Sequence, residues 1–319
     1  SLDVRGNRDA SLSSSLSAQV VGYWNFNEKA PGNFCDTNAG AILDASGNGH
    51  DGTESFAALP YVAGSPAYGS SSAITFYTNG ANDKIVVPDA DAGAFNFGVG
   101  QSVTIEAVIR ANSGGVNGST ISGNIISKQG AVAGAALPGE WYLRLINAPG
   151  NLRFTASDGA TKTVTGSKSL ADGKWHHVAG VYDANAHQLR VYVDYVLDGT
   201  ATTAYTGTIG NTNDLCLGQQ NNNGARFDGD IDFVKFSLGA LDPTNFVQAS
   251  TSIANLAPAP GAIFVSPANA ASFSVGSSAG VAATNIVVTV NGSNITSQLI
   301  LSGDDNSRTV TLPPLAANV

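Results

Sequence analysis

The chain has 319 residues, of which 43% are hydrophobic and only 12% are charged. This length predicts about two domains, and the hydrophobic share is sufficient for a packed core. The balance of 24 acidic residues against 15 lysines and arginines gives a net charge of −9, which disfavours nucleic acid and anionic membranes as partners. No apolar run approaches the ~20 residues that span a bilayer. The low charge and the 37 glycines are typical of secreted β-rich proteins and disfavour a helical bundle.

Short strand-like runs dominate the chain from residue 20 onwards. Residues 1–19 are rich in serine and weakly patterned, and they predict an extended arm. The runs that follow alternate with period two between clusters of Gly, Asn, Asp and Ser, which predicts many strands joined by polar turns. No segment has a long apolar stripe of helical period, so the pattern favours a β-sandwich. Examples of these runs are Val103–Ile109, Trp141–Ile146, Asn151–Thr155 and Leu189–Val193.

The pattern changes beyond residue 255. Residues 256–261 are rich in proline and alanine and predict a linker, after which strand-like runs resume in 262–319. A segment of about 60 residues is shorter than the ~100 residues of a seven-stranded sandwich. We therefore expect 262–319 to form a partial sandwich, whose edges are covered by downstream chain, by the preceding domain or by a neighbouring copy of the same chain.

Seven segments occur in a fixed order: Val20–Glu28, Ile42–Thr53, Asn82–Asp89, Ser102–Ile109, Asp172–Tyr182, Leu189–Asp194 and Phe227–Val234. Together they resemble the laminin-G-like, concanavalin-A-like jelly-roll family of secreted bacterial proteins. The resemblance implies that residues 20–255 form two antiparallel sheets packed face to face, in a protein that is secreted or exposed at the cell surface of a bacterium. Residues 262–319 resemble the start of an immunoglobulin-like module. The predicted fold class is thus all-β, a two-sheet jelly-roll sandwich followed by a partial immunoglobulin-like sandwich.

The loop Asp44–His50 combines oxygen-bearing side chains with glycines, and calcium prefers six to eight such oxygen ligands. In the family that the chain resembles, one calcium ion joins this loop to an aspartate of the last strand. Carried over by position, the resemblance implies Asp44, Asn48, His50 through its carbonyl, and Asp232 as ligands of a structural Ca²⁺. The alternative is an ordinary Asx turn, which uses the same residue types.

The two cysteines, Cys35 and Cys216, lie far apart in the sequence. In an exported protein the expected outcome is a disulfide. Two buried free thiols are the alternative.

Catalytic residues are sparse. Asp228, Asp230 and Asp232 alternate and are expected to share one strand face, which invites a glycosidase hypothesis. Glu106, however, has no second acid two or four residues further on, and no pair with the spacing that glycoside hydrolysis needs is evident. The sequence therefore predicts that the protein is not an enzyme.

Ligand binding is predicted from amides and aromatic rings, the groups that hold sugars through hydroxyl hydrogen bonds and ring stacking. Trp141 and Tyr142 lie on a candidate rim strand, and Gln219 and Gln220 begin a polar loop that is equally compatible with a solvated hairpin. The resulting hypothesis is a non-catalytic extracellular module of a larger protein that binds a glycan or a matrix polymer. The alternative is a structural subunit of a surface fibre, sheath or surface layer.

Overall fold

A computed structural model describes residues 18–55, 59–76, 83–88, 93–112, 123–130, 138–147, 149–249, 252–258, 270–276, 281, 283–290, 293–303 and 307–312. The predicted arm, apart from its last two residues, and half of the predicted linker lie outside these ranges. The described residues form β-strands with a few three-residue 3-10 turns. No helix in this part of the chain is long and apolar enough to cross a membrane.

The first sheet contains eight antiparallel strands among the described residues. Their order is β13-β12-β11-β6-β15-β4-β3, and β1 pairs with β15 beside this path. The strands are β1 (Gln19–Trp24), β3 (Tyr61–Ala63), β4 (Ser72–Phe76), β6 (Val103–Ala111), β11 (Trp175–Asp183), β12 (Gln188–Val193), β13 (Val196–Thr202) and β15 (Gly229–Leu238).

The second sheet contains seven antiparallel strands in the same part of the chain, in the order β10-β9-β8-β7-β14-β5-β2. The two sheets confirm the predicted all-β jelly-roll sandwich. The strands of the second sheet are β2 (Thr53–Ser55), β5 (Lys84–Val87), β7 (Gly123–Lys128), β8 (Trp141–Ile146), β9 (Asn151–Ser157), β10 (Thr161–Thr165) and β14 (Leu215–Leu217).

The core lies between the sheets, and the alternation of each strand decides which side chains enter it. In β6, Ile105 and Ile109 are buried in the core, whereas Glu106 and Arg110, which directly follow them in sequence, lie on the opposite face. Each large apolar side chain buried in this way contributes about 1.5–3 kcal/mol. Strand alternation therefore gives each sheet one apolar inner face and one outer face that is free to carry polar groups.

A β-bulge in β15 interrupts the alternation of its aspartates. The register shifts between Ile231 and Phe233, so that Ile231 and Val234, three residues apart, both enter the core. Asp232 lies in this bulge. The expectation of a regular three-aspartate face is therefore only partly met, since alternation stops at the bulge.

Each aspartate of this group also has its own partner. Asp228 accepts a hydrogen bond from Asn112 at 2.6 Å, and Asp230 forms an ion pair with Arg110 at 2.7 Å. Asp232 accepts a backbone N–H group. Because these carboxylates are satisfied separately, their clustering in the sequence does not require a shared cation.

A smaller third sheet has the order β16-β17-β21-β20, and a separate hairpin joins β18 to β19. Because β16 pairs with β17, the predicted boundary at residue 255 falls inside a strand of this sheet. An immunoglobulin-like module here stays a prediction. The strands are β16 (Ser252–Ala257), β17 (Ser272–Gly276), β18 (Thr289–Val290), β19 (Ser293–Asn294), β20 (Ile300–Gly303) and β21 (Ser307–Thr311).

Candidate functional site

The side chain of Asp44 closes its own loop. Its Oδ1 accepts the backbone N–H groups of Tyr23 and Ser46, both at 2.9 Å. Its Oδ2 accepts the Ser46 hydroxyl at 2.8 Å and the His50 N–H at 3.1 Å. Burial alone would raise the pKa of Asp44, but these hydrogen bonds outweigh it and hold the pKa below its usual value. Asp44 is thus an ionised acceptor whose two oxygens both have donors.

The other three predicted calcium ligands have partners as well. The Asn48 amide donates to two carbonyl oxygens of β1, each at 2.9 Å, and the His50 carbonyl accepts the indole N–H of Trp24 at 2.8 Å. Asp232 accepts the backbone N–H of Ser65. Burial raises the pKa of Asp232 to about 7.

In this arrangement the four residues do not form the oxygen cage that calcium takes, because oxygens of Asp44, His50 and Asp232 already accept N–H or O–H donors and the Asn48 amide is bonded through its nitrogen. Among the described residues, no group of three or more His, Cys, Asp or Glu side chains is placed to hold a metal ion. The loop has the hydrogen bonds of the alternative, a side-chain-capped turn. A calcium ion stays a prediction from the resemblance, and no step below depends on it.

The predicted disulfide is not formed, since Cys35 and Cys216 are both free, buried thiols. Cys35 belongs to the core between the sheets. Cys216 lies between Leu215 and Leu217, which both enter the core, so its own side chain points to the outer face of the second sheet. The two thiols therefore lie on opposite sides of that sheet. Burial raises the pKa of each thiol to about 12.

Trp141 is not a ligand-binding residue of the rim, as the sequence predicted, because it is buried in the core. Its indole N–H donates to the Phe95 carbonyl at 2.9 Å, and its ring packs 5.3 Å from that of Phe236. Tyr142, the next residue along β8, points to the opposite face. The pair was correctly placed on a strand, but only one of the two reaches the outer face.

The outward side chains of three neighbouring strands form what we call the polar face: Asn124 of β7, Tyr142 and Arg144 of β8, and Arg153 and Thr155 of β9. Asn124 is the cross-strand partner of Arg144, which in turn is the partner of Arg153. Tyr142 is likewise the partner of Thr155. Because directly opposite residues share one side of a sheet, these groups form two parallel rows.

Two amides in this region are buried without hydrogen-bond partners. The side chains of Asn124 and Gln219 are fully buried, and neither the oxygen nor the nitrogen of either amide has a partner. The Nε of Arg144 is also buried and unpartnered. A buried polar group without a partner costs about 1–3 kcal/mol, and native proteins keep few of them. Because Asn124 and Gln219 are fully covered by protein, a polar ligand could supply the missing partners only if the covering groups were displaced.

The Arg144 guanidinium lies over the Tyr142 ring, 4.5 Å from its centroid. Burial lowers the pKa of Arg144, as does the neighbouring Arg153, while Tyr142 acts in the opposite direction. The Nε of Arg153 donates to Thr165 at 3.0 Å. The Arg144 guanidinium is therefore positioned against an aromatic ring, and its Nε is buried with no hydrogen-bond partner.

The loop that begins at Gln219 folds over the outer face beside this row. The Ser127 hydroxyl donates to the Gln219 carbonyl, and the Asn124 backbone N–H donates to the Ala225 carbonyl at 2.8 Å. Gly218 permits this path, because its φ of 79° lies in the left-handed region and a side chain there would collide with the Phe76 ring. Asn124 thus contacts the loop to which Gln219 belongs.

Gln220, the other predicted amide, donates to the Gly130 carbonyl at 3.1 Å and is buried. It fixes the loop to the end of β7. The sequence prediction named this loop, in which Gln219 is unpartnered and Gln220 is structural, and ligand binding by either residue stays a prediction. It missed Asn124, Arg144 and Arg153, although the spacing of Tyr142 and Arg144 already placed them on one strand face.

The outer face of the first sheet is covered rather than open. The fully buried Glu106 contacts His177 and Lys235, each at 3.2 Å, and accepts the Val247 N–H at 2.6 Å. The imidazole of His177 stacks on the Phe246 ring at 5.5 Å. The segment after β15 therefore closes over this face.

Two cavities lie away from the polar face. One of about 410 Å³ is lined in part by Asn48, His50 and Gln101. Another of about 820 Å³ shares Gln101 and also contacts Asp183. Neither includes a residue of the polar face, and the groups that line them include already bonded ones such as the Asn48 amide.

Comparison with known proteins identifies the family. No curated protein matches the chain. Domain 4 of AbnA, a GH43 extracellular arabinanase from Geobacillus stearothermophilus solved with arabinotriose, is 18% identical with a TM-score of 0.49, over 72% of this chain and 97% of that one. The binding domain of Paraclostridial Mosquitocidal Protein 1 is 16% identical with a TM-score of 0.45, over 68% of this chain and 51% of that one.

The botulinum neurotoxin serotype G binding domain is 13% identical with a TM-score of 0.47, and the match covers 70% of this chain and 49% of that one. The chain therefore spans about half the length of the two toxin structures. The sequence profile described as the concanavalin A-like lectin/glucanases superfamily matches residues 79–245, which include the strands from β5 to β15. The chain belongs to the concanavalin A-like lectin/glucanases superfamily.

Proposed function

We propose that the protein is a non-catalytic glycan-binding module of a secreted or cell-surface protein, and that the polar face is its binding site. The observation that carries this proposal is the pair of buried, unpartnered amides, Asn124 and Gln219. A carboxamide offers two donors and an acceptor with two lone pairs, and a sugar hydroxyl both donates and accepts. Both amides are fully buried, so a glycan would satisfy them only after the protein groups that cover them move aside.

Arg144 and Tyr142 add a second element to the site. The contact between the guanidinium and the ring restricts the Arg144 side chain, which reduces the side-chain entropy lost on binding. Beside it, the Thr155 hydroxyl contacts that of Thr163 at 3.0 Å and extends the row of polar groups towards β10. The site thus offers amide, guanidinium and hydroxyl groups on one rigid sheet.

The distribution of acids supports a binding role rather than hydrolysis. Glycoside hydrolysis needs two carboxyl groups that flank the scissile bond. The outward positions of β7, β8, β9 and β10, all within the described residues, carry no Asp or Glu. Glu106 and Asp230 lie on the other sheet, and each is already ion-paired.

The proposal is tested by screening the purified chain against a glycan array and measuring the affinity of any hit by calorimetry. Asn124→Leu should weaken binding by at least tenfold, because it removes hydrogen-bonding groups from the site without opening a cavity. Asn245→Leu is the matched control, since Asn245 is exposed in a 3-10 turn distant in sequence from the polar face. Equal affinity of both variants and the wild type would show that the polar face is not the site.

A further inference from the structure

Arg144 and Arg153 are direct cross-strand partners on the polar face. Two like charges opposite each other on one sheet face destabilise the pair of strands. Both side chains are half-buried, so water screens their repulsion less than it would at a fully exposed position. Such a pair is normally relieved by a carboxylate between or beside the two cations.

Other cations of the described chain do have such a carboxylate. Arg110 pairs with Asp230 at 2.7 Å, Arg190 with Asp183 at 2.9 Å, and Lys235 with Glu106 at 3.2 Å. Neither Arg144 nor Arg153 forms an ion pair with any described residue. The contrast is sharp because the whole chain has 24 acidic residues and only 15 lysines and arginines.

The donors that remain on these arginines differ. The Nε of Arg153 already donates to Thr165, whereas the Nε of Arg144 is buried without a partner. An arginine fork binds a carboxylate through two parallel N–H donors, and this geometry is planar and specific. Of the two arginines, Arg144 is therefore the one whose Nε is not already used by the protein.

We propose that the glycan bound at the polar face is an acidic sugar, whose carboxylate is held by Arg144 and is also attracted by Arg153. This proposal rests on the glycan-binding function stated above and names the class of its ligand. Adjacent strands are about 4.8 Å apart, so Asn124, Arg144 and Arg153 extend over about 10 Å. A short oligosaccharide along this row places its carboxylate at the two half-buried arginines, with a neighbouring hydroxyl directed towards the fully buried Asn124.

The experiment compares matched acidic and neutral sugars by calorimetry on the full chain. The probes are trigalacturonate against galactotriose, and sialyllactose against lactose. At least one acidic probe should bind ten times more tightly than its neutral counterpart, and the difference should shrink as salt is raised, because ions screen the charges. Arg144→Gln should reduce the affinity for the acidic probe to that of the neutral one.

Two further variants separate charge from geometry. Arg144→Lys keeps the charge but loses the fork, so it should still lose most of the preference for the acidic probe. Lys174→Gln removes the same charge from an exposed position in the turn before β11 and should leave the preference unchanged.

Equal affinity for acidic and neutral probes, in binding that Asn124→Leu abolishes, would overturn the acidic ligand and leave the proposed glycan binding intact. If no probe or array glycan of either class binds, the proposed function fails and this inference fails with it.

Discussion

The unpartnered amides make a prediction about stability that is independent of any ligand. Asn124→Leu and Gln219→Met replace each amide by an apolar group of nearly the same size. An unsatisfied buried amide costs about 1–3 kcal/mol, and its removal with preserved shape is neutral or stabilising. We therefore expect each substitution to leave the free energy of unfolding unchanged or raise it by about 1 kcal/mol. For a domain of 150–250 residues, 1 kcal/mol corresponds to ~2–4 °C in melting temperature.

Asn211→Leu supplies the matched control. The Asn211 amide donates to the carbonyls of Lys128 and Gly139 at 3.1 and 2.7 Å, and its oxygen accepts the Asn213 N–H at 2.8 Å. The same substitution there leaves two carbonyls and an N–H without partners, so we expect a loss of about 1–3 kcal/mol.

Urea unfolding of the wild type and these variants, followed by tryptophan fluorescence, measures the differences. A loss of stability in Asn124→Leu as large as in Asn211→Leu would refute the reasoning. It would mean that the Asn124 amide has partners in the free protein and is a structural residue.

Three further predictions concern other parts of the molecule. Burial would lower the pKa of His176, but the hydrogen bond and charge of Asp194, together with Asp172, outweigh it and raise the pKa above its usual value. A raised folded-state pKa stabilises the folded protein, fully below the unfolded-state pKa of about 6.5, and this stabilisation is lost as pH rises through the folded-state pKa. His176→Gln should therefore be more destabilising at pH 5.5 than at pH 9, and a difference independent of pH would contradict this. Calcium at the Asp44 loop is tested by melting curves with calcium and with a chelator. A melting temperature that rises with calcium, and no longer does so in Asp44→Asn, supports a calcium site, whereas unchanged curves count against it. Thiol titration in denaturant without reductant should detect two thiols per chain, whereas none would restore the disulfide.

The sandwich itself was predictable from the sequence, because the alternation of strands such as Val103–Ile109 is local. Which side chains of a strand enter the core is harder to predict, since a shift of one residue exchanges its two faces. Trp141 and Tyr142 show this, because both were candidates for the ligand site and the larger ring, that of Trp141, lies in the core. The bulge at Asp232 likewise depends on pairing with β6, which no local pattern reports.

The candidate site was only partly predictable for a different reason. An unpartnered amide is defined by what surrounds it, and the surroundings of Asn124 come from β8 and from the loop after β14. Composition gave the wrong outcome for Cys35 and Cys216, because it indicates the redox compartment but not which side of a sheet a thiol faces. Gln219 was a candidate because polar loops next to strands are common ligand sites, and its role in binding stays a prediction.

The most direct test of glycan binding at the polar face is the affinity of wild type, Asn124→Leu and Asn245→Leu for the best glycan of the array screen, measured beside their unfolding curves. We predict that Asn124→Leu binds at least tenfold more weakly while unfolding at the same or a higher urea concentration, and that Asn245→Leu matches the wild type in affinity. Full affinity in a stably folded Asn124→Leu variant would contradict the account, because the binding site would then lie elsewhere on the protein.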